Sequence, residues 1–322
     1  MTRGWPSTIT LLGILSVLAV LAARLLVAES QVDWDEELYF QIARHWRGDF
    51  LPYRDLFDHK QPFLYLYVKV LSGWGHSMSL LRILQAAILI VSILKLVSTL
   101  RGQVDPLLVP CLFGIVSLPP VLGVNAEIIY IPMTLNMLAF ALNGRFWVAA
   151  LFAALAVSVK VTAALDVLGA FVFFLALRKP RPIPCLPIIG AVGLFAVIQV
   201  GFYIYFQRHG IDLFHEVVER NVIHASHRSA FYLPRLFLAG LALVTGIIVL
   251  RLIVSGRFMA RGPALALGVW TGLSFLQAIL TGQYYFHYFL PVLVPLTILA
   301  FWGAAVVPVV LLRGLVAGVV AA

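Results

Sequence analysis

The acidic residues of this sequence are concentrated in one segment, which also contains a lysine, and these residue types fit acid–base chemistry beside a phosphate. Eight of the fourteen acidic residues lie between Glu29 and Pro62, in a chain of 322 residues that is otherwise mostly apolar. Asp35 and Glu36 stand near the start of this segment and Lys60 near its end. A carboxylate can take a proton from a hydroxyl, and a lysine can bind a phosphate as a point charge. The segment therefore contains candidate bases and a candidate anion-binding cation.

The acidic start of this segment has more than one interpretation. A carboxylate there can act as a base, and partial burial at a membrane surface would raise its pKa toward a useful range. A carboxylate ahead of a helix can instead cap the first turn without any catalytic role. Asp33 and Asp35 also form a D-x-D pattern, which holds a divalent metal in some sugar-nucleotide enzymes. These three residues alone do not decide between the roles.

The basic end of the segment offers a similar choice. Lys60 stands two residues before a helix that begins with proline, where it can bind a phosphate with help from Arg54 and from the N–H groups of that helix start. The alternative is an interfacial lysine that extends to lipid headgroups. Tyr53, in the turn before Arg54, is included among the residues expected to bind substrate.

Four residues further along the chain are also candidates for binding substrate. Ionisable groups near membrane spans are costly unless they face a cavity or a partner, which singles out Glu127 and Lys160. Glu127 could equally be a helix-start acid. Lys160 could pair with Asp166, although the spacing is poor, and we expect it to face a cavity. In TGQYYFHYFLPVLVP, Tyr285 and His287 could orient a sugar or donate to a phosphate, or be ordinary interfacial side chains.

The composition places these residues in a membrane protein. Of the 322 residues 62% are hydrophobic and 11% are charged, and apolar stretches long enough to cross a bilayer fill almost the whole chain. The net charge of +9 then reflects membrane topology, and no nucleic-acid partner is expected. Cys111 and Cys185 lie in or beside apolar segments and show no metal spacing.

The apolar segments predict an all-α polytopic protein with about ten membrane crossings. The stretch 146–177 is too long for one straight span, so we expect it to break near Lys160 and Thr162 into two short helices or a re-entrant pair. The first segment is interpreted as a retained helix and not as a signal peptide. The predicted segments are 8–28, 78–100, 104–123, 127–143, 146–177, 185–207, 233–254, 263–281 and 286–312.

The distribution of Lys and Arg predicts how these segments are oriented. The basic residues between segments, Arg101 and Arg145 among them, fall on one side if both termini are cytoplasmic. Loop 29–62, the Lys160 break and the start of the last span then all face outward. We therefore expect a multi-pass protein of the cytoplasmic (inner) membrane whose active site lies on the periplasmic or extracellular face.

The outer loop 29–62 has internal structure of its own. Leu38, Ile42 and Trp46 recur every four positions, which predicts a short surface helix over 36–46 that ends before Gly48. A second, aromatic-rich helix is predicted from Pro62. It is short for a span, so we place both helices beside the membrane.

Several stretches together resemble a known family. WDEELYFQIARHWRGDFLPYRDLFDHKQPFLYLY resembles the first outer loop of the integral-membrane GT-C glycosyltransferases. The likeness is to the bacterial branch related to dolichyl-phosphate-mannose protein mannosyltransferases and lipid A aminoarabinose transferases. NAEIIYIP, LAVSVKVTAALDVL and QYYFHYFLPVLVP resemble later landmarks in the same order, so the similarity covers roughly residues 8–310.

The resemblance implies an enzyme that moves a sugar from a polyprenyl-phosphate carrier to an acceptor hydroxyl or amine of a glycan, lipid or protein. By position, Asp35 would be the general base with Glu36 beside it, and Lys60 would hold the donor phosphate. Single displacement would invert the anomeric carbon, and no metal or other cofactor is expected, although Asp33 and Asp35 could hold a divalent ion. Many relatives have two prolines after this lysine, whereas Gln61 occupies the first of those positions here.

We expect residues 1–322 to form a single transmembrane domain with catalytic loop 29–62 and, unlike many relatives, no soluble C-terminal domain. A transporter or lipid flippase is the main alternative, because such proteins also place charged residues beside interrupted helices. It would not need an acidic outer loop, and the sequence shows no repeated halves. A structural subunit is the third hypothesis, and it predicts that the acids and the lysine can be neutralised without loss of function.

Overall fold

The chain folds as helices in the part that the structure describes. The structure is a computed structural model and describes residues 34–56, 58–104, 108–116, 123–178, 185–226, 261–281 and 285–302. Within these ranges no strand forms, which confirms the predicted all-α class. Asp33 and the predicted segments 8–28 and 233–254 lie outside the described residues.

The described helices follow most of the predicted apolar segments. In chain order they are α1 Trp34–His45, α2 Pro62–Leu71, α3 Met78–Thr99, α4 Leu108–Val116, α5 Ala126–Leu142, α6 Phe146–Val159, α7 Ala163–Leu177, α8 Cys185–Arg208, α9 Arg220–Ser226, α10 Arg261–Leu280 and α11 Leu290–Ala300. A π-helical turn at His215–Glu219 precedes α9, and a 3₁₀ turn at Phe286–Phe289 precedes α11.

The break predicted inside 146–177 is confirmed, because α6 ends at Val159 and α7 begins at Ala163. The two helices predicted in and after the outer loop are also present as α1 and α2. Stretches long and apolar enough to cross a membrane occur in α3, α8 and α10, and the shorter α5, α6 and α7 are apolar as well. The number of crossings, about ten, stays a prediction.

Helix α5 is the centre of the bundle, and α8 lies at its periphery. Fifteen of the 17 residues of α5 are buried, against α3, α6 and α7. In α8 only Pro187 and Phe206 are buried, although the helix is apolar on all sides. A helix with this composition and exposure is suited to contact with lipid, because its backbone polar groups are bonded within the helix.

Polar contacts at seven-residue intervals join α3 to α5. Gln85 donates to the carbonyl of Ile128 at 2.7 Å, near the N-terminus of α5. The amide of Asn136 donates to the hydroxyl of Ser92 at 2.6 Å, one heptad further along α3. Asn143 donates to Thr99 at 2.9 Å, after another heptad. Such hydrogen bonds hold helices together where hydrophobic packing alone discriminates poorly between neighbours.

Helix α10 is fixed by a buried carboxylate on α7. Asp166 accepts hydrogen bonds from the indole N–H of Trp270 at 2.6 Å and from the hydroxyl of Ser274 at 2.8 Å. Gly169, one turn along α7, allows the Trp270 ring to approach, since a Cβ there would lie 2.5 Å from the ring. Small residues at a helix interface permit this close packing.

A buried ion pair attaches helix α1, which lies in loop 29–62, to the bundle. Nε of Arg82 on α3 donates to Oε1 of Glu36 at 2.8 Å, and a second guanidinium nitrogen contacts Oε2. The Glu36 side chain is fully buried. Each charge is stable at this depth because the other compensates it, so the position of α1 depends on the pair.

We predict that Glu36→Gln destabilises the protein by about 3–5 kcal/mol, because it leaves the Arg82 charge buried without a counter-charge. The measurement is the free energy of unfolding of the detergent-solubilised protein.

Glu37→Gln is the matched control for this prediction. Glu37 lies on the same turn, is only partly buried, and accepts a hydrogen bond from Gln41 that an amide oxygen can keep. It should change stability by no more than about 0.5 kcal/mol. Equal stability of the two variants would show that the Glu36–Arg82 pair does not anchor α1.

Candidate active site

Charged side chains from separate elements meet at one end of the bundle. They come from the first turn of α1, the segment before α2, the start of α5, the break between α6 and α7, and the 3₁₀ turn before α11. The structure thus brings together five residues that the sequence predicted separately. These are Asp35, Lys60, Glu127, Lys160 and His287.

Asp35 and Glu36 are adjacent in sequence but face different surroundings. Successive residues of a helix are rotated by about 100°, so neighbours cannot share one face. Asp35 points to the cluster, where its Oδ2 accepts from the Tyr39 hydroxyl at 3.2 Å and lies 3.7 Å from Nε2 of His287. A quarter of its side chain stays exposed. Glu36 points to Arg82 instead, so the structure places only one of the two predicted bases at the cluster.

Glu127 and Lys160 form an ion pair at the start of α5 and the break after α6. The Lys160 ammonium lies 2.5 Å from Oε1 of Glu127 and 4.1 Å above the ring of Tyr288. The pairing of Lys160 with Asp166 does not form, because Asp166 bonds to α10. Lys160 lines a cavity, as the sequence predicted.

Lys60 and Lys160 line the same cavity, which measures about 260 Å³. The Lys60 ammonium lies 3.1 Å from Nε2 of His59. Burial acts to lower the pKa of Lys60, but the surrounding acidic groups, Tyr288 in its ionised form and the carboxylates of Asp58, Asp35 and Glu127, outweigh burial and raise it. Lys60 is therefore charged at neutral pH and suited to an anionic ligand. The rest of the lining is half apolar, with Val159, Val161, Val217, Val218, Val222 and Leu280, and half polar or aromatic, with His59, Gln61, Thr162, Asn221, Thr281 and Tyr288.

The remaining predicted site residues are placed at different depths. Arg54 is 46% exposed and is bound by its neighbour Asp55 at 2.7 Å, so it lies at the loop surface. Tyr285 is 57% exposed and its ring is stacked on that of His287 at 5.8 Å. Tyr53 is buried, and its hydroxyl donates to the backbone carbonyl of Lys60.

Sequence reasoning missed three residues of this region. Tyr288 is buried and lines the cavity together with the two lysines, but nothing in the stretch QYYFHYF distinguishes it from the other aromatic residues. Tyr39 contacts Asp35 one turn along α1, a spacing that could have revealed it. Asn221 contacts the loop from α9, and no local signal points to it.

The described part of the chain contains no group of three or more His, Cys, Asp or Glu side chains arranged to hold a metal ion. Asp33, the first residue of the D-x-D pattern, lies outside it. A divalent ion at Asp33 and Asp35 stays a prediction.

The described helices form a bundle with the GT-C fold, a fold of polytopic membrane proteins, as the similarity to a solved structure shows. The structure is similar to the crystal structure of ArnT from Cupriavidus metallidurans bound to undecaprenyl phosphate, a lipid A aminoarabinose transferase. The match has a TM-score of 0.66 and 20% sequence identity, and covers 90% of this chain. The resemblance inferred from the sequence is thus confirmed at the level of the fold.

This chain spans 59% of the length of that ArnT chain. No protein-family model matches the sequence, and a comparison with curated proteins gives no match. The fold is therefore established by structural similarity, and a fold by itself does not define an activity.

Two aspartates near the cluster have opposite electrostatic environments. Burial raises the pKa of the Asp58 carboxyl, although Lys60 and the backbone N–H of His59 act in the other direction. Hydrogen bonds from Arg54 and from the backbone N–H of Leu51 lower the pKa of Asp55. The two side chains should therefore change stability with pH in opposite senses.

We predict that Asp58→Asn has a melting temperature at pH 7 equal to or above that of the wild type. When folding raises the pKa of an acid, the folded state disfavours its ionised form. The contribution of this acid to stability is therefore greatest below its unfolded pKa of about 4, and it is lost as the pH rises through the folded pKa. The amide does not ionise, so the difference should disappear as the pH is lowered toward about 4. Thermal unfolding between these pH values measures it.

Asp55→Asn is the control with the opposite sign. A lowered pKa gives stability that is present above the unfolded value and is lost as the pH falls through the folded one, so this variant should melt below the wild type at pH 7. A lower melting temperature for Asp58→Asn at pH 7 would contradict the burial argument.

Proposed function

We propose that this protein transfers a glycosyl group from a polyprenyl-phosphate-linked sugar to an acceptor at the outer face of the membrane. The observation that carries the proposal is the proximity of the Asp35 carboxylate to Lys60, a lining residue of the cavity, in a bundle that has the ArnT fold. The crystal structure of that ArnT contains undecaprenyl phosphate, the kind of lipid carrier that the proposal requires.

Lys60 is the proposed ligand of the donor phosphate. Lys160 is paired with Glu127 at 2.5 Å, whereas Lys60 lines the same cavity and its raised pKa keeps it charged at neutral pH. Lys160 and the Tyr288 hydroxyl lie in the same lining and can donate further hydrogen bonds to phosphate oxygens. Glu127 keeps Lys160 in place at the helix break.

Asp35 is the proposed general base. It takes a proton from the acceptor hydroxyl or amine while that oxygen or nitrogen forms a bond to the anomeric carbon. The bond from this carbon to the phosphate oxygen breaks, and its electron pair leaves with the polyprenyl phosphate. The charge that develops on the phosphate is stabilised by Lys60. One displacement inverts the anomeric carbon, and the good leaving group needs neither a general acid nor a metal.

His287 and Tyr285 are proposed to hold the acceptor. The His287 ring faces Asp35 at 3.7 Å, so a group that gives its proton to Asp35 would also contact the imidazole. Tyr285 continues from His287 to the surface, which provides an aromatic face at the entrance. Arg54 lies at the loop surface, where it can meet a charged acceptor or lipid headgroup. The acceptor itself is a glycan, a lipid or a protein.

The distribution of charge along the helices supports an outward-facing site. Helices α3, α5 and α7 have their far ends at Arg101, Arg145 and Arg178, away from the charged cluster. Positive residues between spans are typical of the cytoplasmic side. We therefore propose that the termini are cytoplasmic, that the protein lies in the inner membrane with the cluster outward, and that residues 1–322 form one transmembrane domain.

We predict that Asp35→Asn lowers the rate of glycosyl transfer by a factor of about 10²–10⁴, the usual contribution of a general base. Lys60→Ala should mainly raise KM for the donor, because it removes a phosphate contact that is present in the ground state. The assay incubates the purified protein with a panel of polyprenyl-phosphate sugars and measures transfer and donor hydrolysis.

Asp49→Asn is the control, since Asp49 is an exposed acid of the same loop outside the cluster. It should keep wild-type activity. The transporter alternative would be supported by a different result. In that case the wild type consumes no donor, and the wild type and Asp35→Asn move lipid or solute across vesicle membranes equally well. The interrupted helices around Lys160 are compatible with that alternative.

A further inference from the structure

Two hydrogen bonds hold the backbone just before α2, where Lys60 stands. The hydroxyl of Tyr53 donates to the carbonyl of Lys60 at 2.6 Å. The side-chain amide of Asn221 donates to the carbonyl of His59, also at 2.6 Å. The carbonyl groups before and after the Cα atom of Lys60 are thus held by side chains from different parts of the chain. The position of this Cα atom, from which the Lys60 side chain extends, is therefore fixed.

Tyr53 is itself held in a single conformation. Its φ of +72° lies in the left-handed region, which a residue other than glycine keeps only where its surroundings impose it. The ring is edge-on to Tyr65 at 5.9 Å and to Phe206 of α8 at 5.2 Å. A tyrosine packed in this way cannot redirect its hydroxyl, so the bond to Lys60 is built into the loop.

Asn221 connects the loop to the wall of the lysine cavity. Its helix α9 follows the π-helical turn, and this segment contributes Val217, Val218 and Val222 to the cavity lining. The imidazole of His59, whose carbonyl Asn221 holds, is 3.1 Å from the Lys60 ammonium. The side-chain amide of Asn221 therefore positions the backbone before Lys60 and also His59, whose imidazole contacts the Lys60 ammonium.

We propose that Tyr53 and Asn221 are positioning residues that fix the Lys60 ammonium for the phosphate of the polyprenyl carrier. This inference rests on the proposed function and goes beyond it, since Tyr53 would act through Lys60 and not by touching substrate. A lysine side chain is flexible and acts as a point charge, so its strength at a phosphate depends on distance. Fixing its backbone beforehand reduces the ordering that binding would otherwise require.

The test is a double-mutant cycle on binding of undecaprenyl phosphate to the full-length detergent-solubilised protein. Tyr53→Phe and Asn221→Ala should each weaken binding by about five- to tenfold, the change that loss of one hydrogen bond produces. In a Lys60→Ala background each should change it by less than about twofold, because the positioned charge is gone. A residue with a merely structural role would weaken binding equally in both backgrounds.

Tyr67→Phe is the matched control. It also removes a tyrosine hydroxyl with a 2.6 Å hydrogen bond, in this case to Gln85, and should leave binding unchanged. If Tyr53→Phe does not fold, as judged by gel filtration and thermal unfolding, Asn221→Ala alone decides through the same cycle.

Each outcome separates the inference from the proposal beneath it. No binding of undecaprenyl phosphate by the wild type would overturn the proposed function itself, and the inference with it. A second outcome would overturn only the inference. In that outcome Lys60→Ala weakens binding, but Tyr53→Phe and Asn221→Ala either leave binding unchanged or weaken it equally in both backgrounds.

Discussion

The buried ion pair between Glu36 and Arg82 is the contact on which the candidate site depends. Helix α1 has only 12 residues, a length at which an isolated helix is marginal in water, so it needs an anchor on the bundle. Arg82 on α3 provides that anchor with a bidentate contact in an environment that tolerates neither charge alone. Because Asp35 precedes Glu36 directly, the anchor that buries one carboxylate also orients the other toward His287.

The same constraint organises other polar groups of the bundle. Glu127 compensates Lys160 at the break after α6, and Asp166 is satisfied by hydrogen bonds from α10. Gln85, Ser92 and Thr99 form a polar row that sets α3 against α5. Since desolvation makes an unmatched polar group costly, these contacts select one packing of the helices among many apolar ones. Lys60 has a raised pKa and lies in the cavity lining, where we propose that its charge binds the donor phosphate.

The similarity to ArnT at 20% identity shows how little sequence this fold requires. Apolar helices can exchange one hydrocarbon side chain for another without changing the bundle, because lipid and protein interior are both apolar. The loop before α2 is different. Tyr53 adopts a positive φ and bonds to the Lys60 carbonyl, so its conformation depends on particular side chains. We therefore expect variation to be tolerated in α8, where only Pro187 and Phe206 are buried, and much less in that loop.

Local sequence determined the membrane class, most of the described helices and the break at Lys160, because apolar periodicity and chain length act within a few turns. It also nominated Asp35, Lys60, Glu127, Lys160 and His287, since ionisable groups stand out against hydrocarbon. Only the tertiary structure assigned their partners. Glu36 meets Arg82 across 46 positions, Lys160 meets Glu127 across 33, and Asn221 meets His59 across 162. Such pairs are decided by which helices pack together, and an apolar pattern that fits many neighbours equally well does not contain that information.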